Sequence, residues 1–328
     1  MLKISRNPRS VARSRTCRSR HMTLSGSRSR KTMDVAGIRM DNPLMVCSGV
    51  LGISAGLFSR IEAAHAGAVV TKSISLVPNK GYDNPTVTGV ASGVINAMGL
   101  PNPGVDAFIE ELGRSEVSMP IVVSIYGNDE GEFAELARRL SPHCSALELN
   151  LSCPHAGGLL AIGQDPNLVE RVVRAAKEAS NVPVLAKLTP NVADITKIGL
   201  AAQEGGADAI CAINTVKAMA IDIYQKHPIL SNIGGGLSGP AIKPIGVRAV
   251  WDLAGAIDIP IIGIGGIASW EDVVEYLYAG ASAVQMGTAL GMYDIDHITR
   301  IKDELDIFCA STELDYEGLC GIVRKRYP

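Results

Sequence analysis

Glu148-Leu149-Asn150-Leu151-Ser152-Cys153-Pro154-His155 starts as a short apolar run and leaves it through polar residues and one thiol. A run of this length, closed by turn-forming residues, predicts a strand buried on both faces. The design repeats along the chain. Residues 43–49, 68–73, 120–126, 145–150, 182–188, 208–213, 259–264 and 281–285 form eight such runs. Helix-period stretches at 57–66, 105–114, 130–140, 166–180, 193–204, 240–256 and 270–279 separate them, and a helical tail closes the chain. Eight regular β-α units with continuously apolar strands predict a single-domain (β/α)8 TIM barrel rather than an open doubly wound sheet. Two inserts, 74–104 and 214–238, are rich in Gly, Pro and Asn and show no sustained period. Loops this long in a compact domain usually carry function.

The chain has 328 residues, 47% of them hydrophobic and only 4% aromatic. No apolar run reaches the roughly 20 residues of a membrane span. The net charge of −2 conceals an asymmetry: residues 1–32 hold ten Lys or Arg and no acid, so the remainder carries about −12. A body of that charge makes nucleic acid an unexpected partner, because phosphate neutralisation dominates such binding. The basic head alternates Arg and Ser without an apolar stripe, which predicts disorder. Its composition resembles an organellar transit peptide; the other explanation is an over-long start, with Met22 or Met33 as the true beginning. The barrel domain is expected over 33–328. Seven cysteines form no C-x-x-C pair, which predicts reduced thiols in the cytoplasm and no metal site within this chain.

In a closed parallel barrel the chemistry lies where the strands end. There the chain places Ser48-Gly49, Lys72-Ser73, Ser124, Asn150 with Cys153, Lys187, Ile213-Asn214-Thr215, Gly265-Gly266 and Gly287-Thr288. Gly263-Ile264-Gly265-Gly266-Ile267-Ala268 has the spacing of a dinucleotide fingerprint, but it follows the seventh strand instead of the first. The turns after strands seven and eight of such barrels commonly hold a phosphate. Tight turns that need glycine for their backbone are the plainer explanation. Lys72 and Lys187 each finish an apolar strand, where an unpaired ammonium is costly and an anion should meet it. A flavin, its phosphate on the glycine turns and one lysine beside its ring, satisfies both requirements. Snorkelling to the barrel rim is the alternative. Asn96, Asn150, Asn214 and Thr215 supply donors and acceptors for a small carbonyl-rich substrate. Cys153 suits a general base where its surroundings favour the thiolate, and a covalent nucleophile is the other chemical role. A flavin-free lyase or isomerase that binds a phosphorylated substrate on the same turns also stays open.

Several motifs together resemble the dihydroorotate dehydrogenases. They are Asn96-Ala97-Met98-Gly99-Leu100-Pro101-Asn102-Pro103-Gly104, the 148–155 stretch, Asn214-Thr215-Val216-Lys217-Ala218-Met219-Ala220, Gly235-Gly236-Leu237-Ser238-Gly239-Pro240-Ala241 and the 263–268 turn. The resemblance implies oxidation of dihydroorotate to orotate in pyrimidine biosynthesis. Cys153 would take the C5 proton while a hydride leaves C6 for N5 of FMN. It further implies that Lys72, Asn96, Met98, Gly99, Leu100, Asn150, His155, Asn214 and Thr215 hold the substrate. The FMN would be held by Ser48, Gly49, Lys72, Ser73, Ser124, Asn150, Lys187, Ile213, Gly239, Gly265, Gly266, Gly287 and Thr288. A cysteine at 153 resembles the soluble class. The 214–220 and 235–241 motifs resemble the subtype that passes electrons to NAD through a separate iron-sulfur and FAD subunit, a homodimer of catalytic chains forming a heterotetramer with it. His155 and Ser124 stand where the family often has asparagine, and His155 leaves another dihydropyrimidine open as substrate.

Overall fold

The computed structural model describes residues 32–152 and 162–327. The basic head to residue 31, together with Cys153 and His155, lies outside the described residues. Eight parallel strands close into a barrel: β1 Leu44–Val46, β2 Ala68–Val70, β3 Ile121–Ile125, β4 Ala146–Asn150, β5 Val184–Leu188, β6 Ala209–Ala212, β7 Ile261–Ile264 and β8 Ala283–Met286. The ring closes where β8 pairs with β1, Gln285 opposite Met45. Each strand is shorter than its apolar run, because the outer residues of the run belong to the entering and leaving loops.

Helices α1 Ala55–Ala63, α2 Val105–Leu112, α3 Glu130–Leu140, α4 Pro166–Ala179, α5 Ile195–Glu204, α6 Lys243–Leu253 and α7 Trp270–Ala279 wrap the barrel; a short α8 Thr288–Met292 and α9 His297–Thr312 follow β8. Their starts are written in capping residues. Asp129, Asp165 and Asp194 each accept a hydrogen bond from a first-turn backbone N–H, and Pro166 occupies the first turn of α4. Ser269 and Asp272 form a reciprocal capping box at α7. The buried face of α4 is Val169, Val172, Val173 and Ala176, the spacing of a single helical stripe.

Two departures from the sequence expectation concern the barrel's ends. At the bottom, Met33–Val35 and Ile38–Met40 pair as an antiparallel hairpin, turning through Ala36 and Gly37 at φ 56° and 84°. Met33, Val35, Ile38 and Met40 join Met45, Val70, Val122, Leu185 and Ile262 in one apolar cluster. The hairpin therefore covers the lower end of the barrel, and each large side chain so buried contributes about 1.5–3 kcal/mol. At the top, the two inserts are not independent loops. Val87–Val90 and Gly93–Asn96 from the first pair with Gly235–Ser238 and Val216–Ala218 from the second, giving one four-stranded antiparallel sheet.

The expectation of continuously apolar strands also needs correction. Glu148, Lys187 and Gln285 lie inside β4, β5 and β8 and are buried. They are tolerated because they pair with one another, as described below.

Candidate active site

The strand ends and the four-stranded sheet enclose a cavity of about 1170 Å³. That volume is slightly above the range of small-molecule and cofactor sites. Lys72 and Ser73 reach it from the end of β2, Asn150 as the last residue of β4, Ile213, Asn214 and Thr215 beyond β6, and Ser48 and Gly49 beyond β1. Asn96 ends its sheet strand, and Met98, Gly99 and Leu100 continue the wall. Gly239, Gly265, Gly266, Gly287 and Thr288 line the other side. Ser124 behaves differently. It is fully buried in β3 and bonds Ser73 Oγ at 2.9 Å, so it backs the wall instead of forming it.

One hydrogen-bonded chain ties four strand ends together. Asn150 Nδ2 donates to Ser73 Oγ at 3.1 Å, and Asn150 Oδ1 accepts from Asn214 Nδ2 at 3.4 Å and from the backbone N–H of Ser152 at 3.3 Å. Asn214 Oδ1 in turn accepts from Thr215 N at 2.8 Å. Both ends of the Asn150 amide are thus fixed, and its remaining hydrogen-bonding capacity has a set direction. Asn191, which no motif in the sequence singles out, performs a similar task. Its Nδ2 donates to the Thr215 carbonyl at 3.0 Å and its Oδ1 accepts from Lys217 N at 2.8 Å, so the loop after β5 holds the segment after β6.

The two lysines turn out to differ. Lys187 donates to Glu148 Oε1 at 3.2 Å and is 5% exposed; the anion it requires is supplied by β4. Burial is the largest influence and works against its charge; the groups around it, Glu148 first, together outweigh burial and the ammonium pKa is raised. Lys72 is half-buried, and burial lowers its pKa. Among the described residues it has no ion pair or hydrogen-bond acceptor.

The glycine turn after β7 presents free backbone donors. Gly265 and Gly266 have φ 126° and 69°, and no acceptor among the described residues meets their N–H groups. Farther along the turn, Ala268 N and Ser269 N are already taken by Asp272 Oδ2 at 2.8 and 3.0 Å. A Cβ at Gly266 would stand 2.7 Å from Lys243 Cβ and 2.8 Å from its backbone nitrogen. Glycine is required there on conformation and on space. Lys243 itself is held by Asp272 and Glu275, each at 2.7 Å, hydrogen bonds that raise its pKa. An anion at this turn would meet backbone dipoles and a helix N-terminus.

The family model for dihydroorotate dehydrogenase matches residues 31–308. The chain belongs to the dihydroorotate dehydrogenase family. A relative from Pyrococcus horikoshii named "Dihydroorotate dehydrogenase B (NAD(+)), catalytic subunit" is 60% identical over 77% of this chain and 84% of its own length. Proteins of the same name from Pyrococcus furiosus and Methanocaldococcus jannaschii are 59% and 48% identical, over 79% and 89% of this chain and 86% and 97% of theirs.

Dihydroorotate dehydrogenases use a flavin, and the cavity has the chemistry to hold one. Unused N–H groups at Gly265 and Gly266 suit its phosphate, and Gly287 brings backbone close to the wall, where a Cβ would collide with Cys47 Sγ at 2.5 Å. Lys187 borders the same space. Tyr276 braces the turn: its hydroxyl donates to the Gly265 carbonyl at 2.8 Å. It sits inside α7, where an aromatic reads as ordinary core and nothing in the sequence marks it as part of a site. Gly246 and Gly263 leave room for its ring, since a Cβ on either would lie within 1.9 and 2.4 Å of Tyr276.

Proposed function

We propose that this chain oxidises dihydroorotate to orotate for pyrimidine nucleotide synthesis, with FMN as its flavin. The observation that carries this reading is the Ser124–Ser73–Asn150–Asn214–Thr215 chain across the cavity wall, in a member of this family. It presents oriented amides and hydroxyls to a planar substrate with alternating carbonyl and N–H groups. Bound FMN supplies the acceptor for the hydride that leaves C6.

The protein's own contribution is a base, a set of clamps and charge. Cys153, one residue beyond the described Ser152, serves as general base for the C5 proton and returns it to solvent. Asn96, Asn150, Asn214 and Thr215 hold the ring with Met98, helped by the backbone of Gly99 and Leu100 and by His155. Lys72 has its charge disfavoured by burial; an anionic substrate favours that charge, so binding and protonation support each other. Ser48, Gly49, Ser73, Ile213, Gly239 and Lys187 position the flavin, with Ser124 acting through Ser73, and Gly265, Gly266, Gly287 and Thr288 receive its phosphate.

The relatives' name, with its "catalytic subunit" and NAD(+), supports a second subunit carrying iron-sulfur and FAD that wires a homodimer of this chain to NAD. No helix among the described residues is long and apolar enough to cross a membrane, and we place the enzyme in the cytoplasm. Anaerobic addition of dihydroorotate to the purified protein should bleach the flavin band. Replacement of Cys153 by Ala should slow that bleaching by about 10²–10⁴-fold, the usual worth of a general base, while orotate still perturbs the flavin spectrum. Unchanged bleaching in the variant would end the general-base assignment.

A further inference from the structure

Lys187, placed above beside the flavin, forms a closed group inside the barrel with Glu148 and Gln285, two residues that none of the steps above uses. Gln285 Nε2 donates to Glu148 Oε2 at 2.7 Å, Lys187 Nζ donates to Glu148 Oε1 at 3.2 Å, and Gln285 Oε1 faces Lys187 Nζ at 3.5 Å. The amide's orientation is chemically determined. A carboxylate only accepts and an ammonium only donates, so Gln285 must turn its NH2 to the first and its oxygen to the second. All three residues are at most 5% exposed. An ammonium has three protons; two are directed at Glu148 and Gln285. Lys187 and Gln285 both border the cavity, and no further acceptor among the described residues meets the third proton.

The other ionisable groups facing Lys187 are Cys47 beyond β1 and Cys211 in β6. Burial pushes Cys47 up to about 11 and Cys211 well above its ordinary value, so both thiols stay neutral near neutral pH. Among the described residues Glu148 is the acidic side chain that Lys187 meets in this part of the barrel.

We propose that Glu148 and Gln285 are positioning residues that keep Lys187 charged and aim its remaining N–H at the flavin ring, and so set the potential at which the flavin is reduced. This rests on the flavin reading above. With the carboxylate in place the pair is neutral overall, and its cationic end borders the cavity. Removing the carboxylate has two consequences of opposite sign. While Lys187 stays protonated, an unopposed cation favours the electron-rich reduced flavin and raises the potential. Because burial disfavours a lone ammonium, Lys187 then loses its proton as pH rises, and the gain disappears.

The test is the midpoint potential of the bound flavin against pH, measured anaerobically on the full-length holoprotein. Glu148→Gln is expected to shift the ratio of reduced to oxidised flavin at least tenfold toward reduced at the acidic end, about 30 mV for a two-electron couple. Its profile should then carry a downward step with rising pH that is absent from the wild type and from a Glu148→Gln, Lys187→Met double variant. Gln285→Leu keeps the ion pair but frees the ammonium's direction; it should shift the ratio of reduced to oxidised flavin measurably but by less than tenfold, and add no step. If Glu148→Gln does not fold, the Gln285→Leu shift decides alone. Profiles of the folded variants that superimpose on the wild type overturn the proposal. A wild-type protein that holds no flavin, or is not reduced by dihydroorotate, defeats the underlying reading instead.

Discussion

The two ends of the barrel are built from the same strands and behave as opposites. At the lower end the 33–40 hairpin lays four apolar side chains onto Met45, Val70, Val122, Leu185 and Ile262. At the upper end the covering sheet lies over asparagines, lysines and glycine turns. Free donors at Gly265 and Gly266 and a Lys72 without an acceptor among the described residues remain there. The lower end packs apolar side chains against one another, so it contributes stability. The upper end leaves groups unsatisfied, which costs stability and gives a ligand something to bind.

That contrast is open to direct tests. The largest effect is expected from Ile38→Ala in the fully buried hairpin: a loss of about 2–5 kcal/mol, seen in denaturant melts, with kcat/KM for dihydroorotate unchanged. A parallel loss of activity would show that the two ends are coupled. Next, Gly266→Ala brings a Cβ to 2.8 Å from Lys243 N and 2.9 Å from the Gly239 carbonyl. About 1–3 kcal/mol of strain should emerge as faster flavin release, followed by fluorescence, more than as a lower melting point.

Tyr276→Phe removes the donor shared by the Gly265 and Ile264 carbonyls. It should cost about 1 kcal/mol and weaken flavin binding several-fold without touching the turn's own residues. The smallest effect belongs to the lower rim. Glu62 accepts from Ser118 Oγ, Ser118 N and Met119 N at 2.7, 2.8 and 3.0 Å. The Ser118 side chain leads these influences, and together they lower the carboxyl pKa against the opposing effect of burial. A depressed carboxylate stabilises the fold above its unfolded pKa, and the contribution is lost as pH falls through the folded value. Glu62→Gln should therefore flatten the acid limb of the stability profile while leaving neutral activity alone.

Much of this is legible in the chain. The barrel follows from apolar runs whose period does not depend on partners, and α3 and α7 begin and end where their capping residues and stripes place them. The polar strand ends are also readable, because barrel topology alone sends them to one face. Other features are harder to see. The hairpin has a usable pattern in Met33-Asp34-Val35 and Ile38-Arg39-Met40, buried-exposed-buried on both sides of Ala36-Gly37. The mouth sheet has none: Gly235-Gly236-Leu237-Ser238 shows no alternation, and its partner at Gly93–Asn96 is more than a hundred residues away. Glu148 and Gln285 are single polar residues in apolar runs, and nothing local reveals that Lys187 lies between them. Resemblance sets Ser124 against the cofactor, but its side chain turns back to Ser73.

The sheet over the mouth also dictates an order of assembly. Its two central strands come from before β3 and after β6, so it cannot form while the chain is emerging from the ribosome until the second insert has been made. Long-range pairing of this kind forms late, because loop-closure entropy must be met before the contacts return anything. The barrel wall can exist before its roof does, and for that interval the flavin's future seat stands open to the cell.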